Sequence, residues 1–423
     1  MDPEGEKTVQ ILRKGKVVEE WPYEVEEGVV LGQGGYSCVV GGVVKEGHEG
    51  RERTVGCSAP REVALKVIDK TTLDKKAALR LQREVEIHTE LSEAGVGGVV
   101  RLVDTFETPS KVVLVMERME GGELFDRIVA KKSFAEAEAA DLFRTVVECV
   151  ASLHARGIAH RDLKPENMLF AHPGEDAELK IADFGLAKRS DDSGSLLTPC
   201  GTPGYIASEI AMLQPYTLAV DCWALGVILY TMLVGFPPFY SSSTKRLLMK
   251  VKRGAFSFPS PYWDPVSEVA KDLVRSLICV DPSARITAAA TLVHPWLAPA
   301  SPISPFSPSS ESLLTPRTMR TFSARSARDG NHDVNIALAL AIEAQRSDEE
   351  DIVQLPAESS LFARRRQKRA AAQAALGASS DDVIGGGEEG VQGDGEEGQE
   401  QLQAMDEGDL DQEIETMLQE VTE

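Results

Sequence analysis

The sequence predicts an α+β fold in two lobes, a small β-rich front and a larger helical back with a cleft between them. Short β-rich runs crowd the stretch before residue 117, whereas apolar residues at helical spacing dominate from there to about residue 297. No internal repeat interrupts the progression from about 25 to 297, and 42% apolar residues over 423 positions support a sizeable core.

Taken in order, "VVLGQGGYSCVVGGVV" and "REVALKVIDK" read as strands around turns, as does "VVLVME" at 112–117. Residues 71–91 read as a helix. After Ser133, placed as an N-cap, Leu142, Phe143, Val146, Val147, Val150 and Leu153 recur in three- and four-residue steps and mark one buried helix face. The most apolar run, "CWALGVILYTMLVGF" at 222–236, is too short to span a bilayer, and the polar start "MDPEGEKTVQ" is unlike a signal peptide. These features predict a soluble protein of the cell interior, with no membrane partner.

The Pro- and Ser-rich "PASPISPFSPSSESLLTP" at 299–316 ends the periodic pattern. The expected organisation is an N-terminal extension at 1–24, a globular domain at 25–297, a Ser/Pro-rich linker at 298–330, a tail with helical and basic segments at 331–376, and an acidic tail at 377–423. The formal charge of -22 is mostly a tail effect, because 377–423 hold 16 acidic residues and no Lys or Arg. The remaining -6 argues against nonspecific nucleic-acid binding by the folded part, and no specific nucleic-acid partner is expected. Asp409, Asp411, Glu413 and Glu420 mimic a calcium loop, but Ile414 stands where that loop needs Gly. The six Cys show no metal-site spacing and read as ordinary thiols.

Four signals occur in one order. "LGQGGYSCV" supplies Gly32 and Gly34 between two strands, where backbone N–H groups approach phosphate oxygens with no Cβ in the way. "VALK" puts Lys66 on a strand, as an ammonium for two phosphates. In "RLQREVEIHTEL", Glu84 is the expected counter-charge to Lys66, with Glu86 the competing choice. "HRDLKPEN" offers Asp162 to accept a hydroxyl proton and Asn167 as a neutral oxygen ligand for a hard metal ion. "ADFGL" then presents Asp183, the carboxylate that Mg²⁺ requires. Triphosphate charge must be neutralised from several sides, which explains Lys, Asp and Asn together.

With these motifs in this order, the chain resembles the eukaryotic Ser/Thr protein kinase family over roughly residues 25–297. The resemblance implies the bilobal protein kinase fold, with a small antiparallel β-rich N-lobe and a larger helical C-lobe. It implies transfer of the γ-phosphoryl group of ATP, with Mg²⁺, to a protein hydroxyl, the catalytic positions being Asp162, Lys164 and Asn167, and Asn167 and Asp183 holding the metal. It extends the nucleotide site to Leu31, Gly32, Gly34, Ser37, Val39, Ala64, Lys66, Glu84, Met116, Glu117, Met119 and Glu123. Glu209, Asp221 and Arg285 are implied structural supports, and Arg161, Thr198 and Thr202 regulatory positions. Two departures stand out: Ser37 replaces the third loop glycine, and "ASE" with Ser208 replaces "APE", which predicts weakened loop rigidity at most. A pseudokinase-like binding scaffold is the alternative from another functional class.

"GGELFDRI", "HPWL" and "DCWALGVILYTMLVGFPPF" resemble the calmodulin-dependent kinase group. In basophilic kinases of this design Glu123 and Glu166 would hold an Arg three positions before the acceptor, so substrates with basic motifs are expected; the bland reading of Glu123 is ribose contact only. Thr198 precedes Pro199, which suggests a proline-directed upstream kinase. With "LLTPR" and the basic run at 364, 365, 366, 368 and 369, this resembles the mitogen-activated-protein-kinase-activated kinases, whose tails combine docking and nuclear import. The same basic run also reads as a calmodulin target or as a merely solvated charged helix. "RTFS" at Arg320–Ser323 fits the expected substrate motif.

Overall fold

The computed structural model of the chain describes residues 11–13, 16–18, 21–33, 37–45, 62–131, 134–190, 200–241, 243–297 and 313. The front half is a seven-stranded antiparallel sheet of β1 (Ile11–Arg13), β2 (Lys16–Val18), β3 (Tyr23–Gln33), β4 (Ser37–Val44), β5 (Glu62–Asp69), β6 (Leu102–Glu107) and β7 (Lys111–Glu117), in the order β2-β1-β6-β7-β5-β4-β3. One helix, α1 (Lys75–Glu93), interrupts it; Asp74 caps it by accepting from the Ala77 N–H at 2.6 Å. A separate 3₁₀ turn occupies Lys70–Thr72, so the helix expected at 71–91 starts later and ends two residues further on.

Strand alternation separates the two faces of this sheet. Val63, Leu65 and Val67 of β5 join Trp21, Tyr23, Phe106 and Val115 on one side. Ile68, with Leu102, Val112 and Leu114, faces the other side, where Leu81 and Val85 of α1 cover it. Residues before 25 take part: β1 pairs with β6, and the buried Asp104 carboxylate accepts from Arg13 Nε at 2.5 Å.

The back half contains α2 (Leu124–Ala130), α3 (Glu136–Ala155), β8 (Ile158–Ala159), β9 (Met168–Phe170), β10 (Leu179–Ile181), β11 (Lys188–Arg189), α4 (Ser208–Ala211), α5 (Ala219–Val234), α6 (Thr244–Arg253), α7 (Glu268–Leu277) and α8 (Ala288–Leu292). The apolar run at 222–236 is the core helix α5, buried on every side; among the described residues no helix is long and apolar enough to cross a membrane. Helix α3 begins at Glu136 with Ala135 at the cap position, and Ser133 lies outside the described residues. Glu136 is fully buried and accepts from Ser267 N–H (3.0 Å), Ser267 Oγ (2.5 Å) and Trp296 Nε1 (2.7 Å), which ties α3 to α7 and to the end of the domain. Leu313 lies beyond that end, yet it is buried in the same core and donates its N–H to Phe134 O at 2.7 Å. The five described cysteines are free thiols.

Candidate active site

Pairing of β5 with β4 and β7 sets Lys66 opposite Val39 and Leu114, on the sheet face that α1 covers. Its Nζ lies 2.7 Å from Glu84 Oε1 and 3.3 Å from Asp183 Oδ1. Glu84 is buried on α1, whereas the Glu86 carboxylate accepts from Gln82 on the exposed side. Glu84 is therefore the partner. Burial would lower the Lys66 pKa, but the Asp183 and Glu84 charges outweigh it and raise it. The same ammonium holds the Asp183 carboxyl well below its usual range, while burial pushes Glu84 up. A permanently charged ammonium thus sits between two acids on different lobes.

The strands that frame Lys66 also place the other expected nucleotide positions. Gly32 is buried and pairs with Val39, Leu31 precedes it, and Ser37 opens β4. Ala64 pairs with Met116. The Glu117 side chain is held by Lys180 at 2.9 and 3.0 Å and by the Arg101 N–H at 2.7 Å, so it is a structural anchor. Met119 is half-buried in the link to Glu123, which is buried at the start of α2. Gly34 lies outside the described residues.

Below this, β8 leads into a loop that ends in a 3₁₀ turn at Pro165–Asn167. Asp221, buried in the first turn of α5, receives the backbone N–H groups of His160 and Arg161, each at 2.8 Å, and His154 Nε2 at 2.9 Å. Burial would raise its pKa, but the His154 bond and charge hold it low. Arg161 is consequently fixed at φ 67°, in the left-handed region. Asp162 then faces Lys164 at 2.8 Å, and its Oδ1 accepts from Thr202 N–H and Oγ1, each at 3.1 Å. Gly201 carries φ 104°, and a Cβ there would stand 2.9 Å from Arg161 O, so only glycine lets Thr202 come this close. Asn167 Nδ2 donates to Asp162 O at 2.9 Å, which leaves its amide oxygen as the group it can offer a cation.

Two histidines absent from the sequence expectations complete the geometry. His154 closes α3 on Asp221, and its pKa is raised to about 9: burial would lower it, but the Asp221 hydrogen bond and charge prevail. His88 is one helical turn after Glu84 on α1, is buried, and sits 5.1 Å from the Phe184 ring, which in turn meets His160 edge-on at 5.1 Å. Its Nε2 donates to Val100 O at 2.6 Å, while Val100 N–H bonds Ile181 O at 2.9 Å on the strand leading to Asp183. The donor set fits a magnesium-bound nucleoside triphosphate: a carboxylate and an amide oxygen for a hard cation, and an ammonium for phosphates.

A protein kinase domain model matches residues 25–297. The chain belongs to the protein kinase family. Calcium/calmodulin-dependent protein kinase type 1 of Macrobrachium nipponense is 44% identical over 269 residues, 64% of this chain and 73% of that protein. The type 1 kinase of Caenorhabditis elegans is 46% identical over 235 residues, covering 56% and 66%, and human type 1B is 46% identical over 237 residues, covering 56% and 67%. The protein is thus a Ser/Thr protein kinase of the calmodulin-dependent group, a family that uses ATP and Mg²⁺.

The supports expected of a kinase are in place. Arg285 grips Glu209 through two bonds of 2.8 Å, both side chains buried, and the single Ser208 hydroxyl proton has two acceptors in reach, Glu209 Oε2 and Val280 O, each at 3.2 Å. The Ser208 departure therefore adds a hydrogen bond to this junction. The Arg161 guanidinium is half-buried and bonds Leu186 O at 2.6 Å and Tyr216 Oη at 2.8 Å, both neutral acceptors. Thr198 lies outside the described residues. Glu166 has one buried oxygen with no hydrogen-bond partner among the described residues, and burial pushes its carboxyl up.

Proposed function

We propose that this kinase phosphorylates Ser or Thr placed three residues after an Arg, and that it is switched on through Thr198. The carrying observation is Glu166: a carboxylate oxygen removed from water with no donor among the described residues is costly, and a substrate guanidinium would satisfy it, with Glu123, buried at the start of α2, as its companion. ATP with Mg²⁺ supplies the phosphoryl group and the neutralising ion. Lys66 would hold phosphate oxygens, and Asn167 and Asp183 would ligate the ion. Asp162, oriented by Lys164 and Thr202, accepts the proton of the acceptor hydroxyl. Among the described residues the Arg161 guanidinium bonds two neutral acceptors, which supports a phosphate on Thr198 as its anionic complement. Asp162→Asn is expected to lower transfer to an Arg-x-x-Ser peptide by a thousandfold or so without unfolding the chain. Glu166→Gln is expected to raise KM for that peptide while sparing an Arg-free one. Equal effects on both peptides would refute the Arg preference.

A second reading of control is favoured by the names of the relatives, which are calcium/calmodulin-dependent. Here the basic run Arg364, Arg365, Arg366, Lys368 and Arg369 binds calmodulin, ahead of a docking or nuclear-import role. Calorimetry of the full chain with calcium-loaded calmodulin tests it, with all five positions changed to Ala as the control. Binding unaffected by that change would refute this assignment.

A further inference from the structure

Helix α6 carries Lys245, Arg246, Lys250, Lys252 and Arg253 and no acid, and the whole stretch 222–263 contains no acidic residue. Four of the five cations are exposed, together with Met249, while Leu247, Leu248 and Val251 pack inward. Among the described residues none of the five has an ion-pair partner; Lys250 donates to a backbone carbonyl, that of Tyr240, at 2.9 Å. Lys250, Lys252 and Arg253 complement the negative end of the helix dipole, and that accounts for them locally. Lys245 and Arg246 occupy the first turn, where a cation opposes the dipole, so helix stability does not explain them.

The chain also carries the matching charge. Residues 377–423 hold 16 acids and no Lys or Arg, and their last segment, "DLDQEIETMLQEV", repeats Leu410, Ile414, Met417, Leu418 and Val421 at helical spacing among acids. Leu313, buried against Phe134, anchors the chain on the helical lobe at that point. From Leu313 to residue 377 there are 64 positions, long enough at about 3.3 Å each to reach any face of the domain. We infer that the outward face of α6 is a docking surface for the acidic C-terminal segment 377–423 of this same chain, with Met249 meeting its apolar side.

Zero-length carbodiimide crosslinking of the purified full chain tests this without reference to catalysis. The expected result is intramolecular amide links from Lys245, Lys250 or Lys252 to carboxylates within 377–423, lost at high salt. They are also expected to vanish in K245E/R246E/K250E/R253E, a variant whose fold is checked by its unchanged thermal midpoint and peptide phosphorylation. A milder variant, K245Q/R246Q, reduces the links if the larger one fails to fold. Links from the acidic segment only to the basic run at 364–369, links only between isotopically distinct molecules, or no links at all would each overturn the assignment.

Discussion

Two Glu–cation pairs of this kinase, one in each lobe, are built from similar charges and behave differently. Arg285 in the helical lobe spends its planar fork on Glu209, adds bonds from Nε to Cys279 O and from Nη1 to Ala219 O, and lies over Trp223 at 5.1 Å. Four of its five N–H donors are bonded, and the side chain is fully buried. Lys66 in the sheet lobe is a point charge on a flexible stem, shared between Glu84 and Asp183, at the edge of the cleft. A fork held on five sides makes a permanent joint. An ammonium between two carboxylates makes a link that ligand or helix movement can redistribute.

The largest expected effect comes from breaking the permanent joint. Arg285→Ala leaves the Glu209 carboxylate buried and uncompensated, and should cost about 3–5 kcal/mol in urea denaturation, with Arg285→Lys intermediate. Lys66→Met should abolish phosphoryl transfer with a smaller loss of stability, because burial raises the Glu84 pKa and, once the Lys66 charge is gone, its carboxyl can take up a proton where a guanidinium-free Glu209 stays sealed in the core. If the two variants lose the same stability, the distinction between joint and link is wrong.

A smaller effect sharpens the same contrast through pH. The folded pKa of His154, about 9, lies above the ordinary 6.5. Its contribution is therefore fully present below pH 6.5 and disappears as pH rises through 9, an order of about 3 kcal/mol. Urea midpoints at pH 6, 7.5 and 9 should fall along this series in the wild type, and less steeply in His154→Gln. A parallel decline in both would assign the slope to other groups.

The parts of the site legible in sequence were those whose chemistry sits inside one short segment. "HRDLKPEN" and "DFG" name their own acids and amide, and "VALK" declares a strand Lys between apolar neighbours. The strand spacing of β5 and the α5 core run were equally readable, because apolar period and length are local properties. His154 was hidden because its partner Asp221 is 67 residues away, and a histidine at a helix end reads as a dipole complement. The strands β1 and β2 were missed because three-residue strands carry almost no period; tertiary pairing with β6 makes them. Leu313 was read as linker, since the Pro and Ser around it dominate composition while one leucine supplies the burial.

The smallest effect concerns His88, which joins the movable link to the rest of the site. An apolar residue there would fill the space beside Phe184 but could not donate to Val100 O, so the helix carrying Glu84 would lose its polar tie to the strand leading to Asp183. His88→Leu should therefore cost about 1 kcal/mol at pH 7 and raise KM for ATP more than it lowers kcat, while His88→Ala loses packing as well. Burial depresses the folded pKa of His88 to about 4. The unfolded histidine gains a proton near 6.5 that the folded one refuses, so the wild type should lose stability as pH falls from 6.5 toward 4. His88→Leu should remove that part of the acid slope. If its slope over this range equals that of the wild type, His88 is neutral packing and the polar tie does not govern how Glu84 is held.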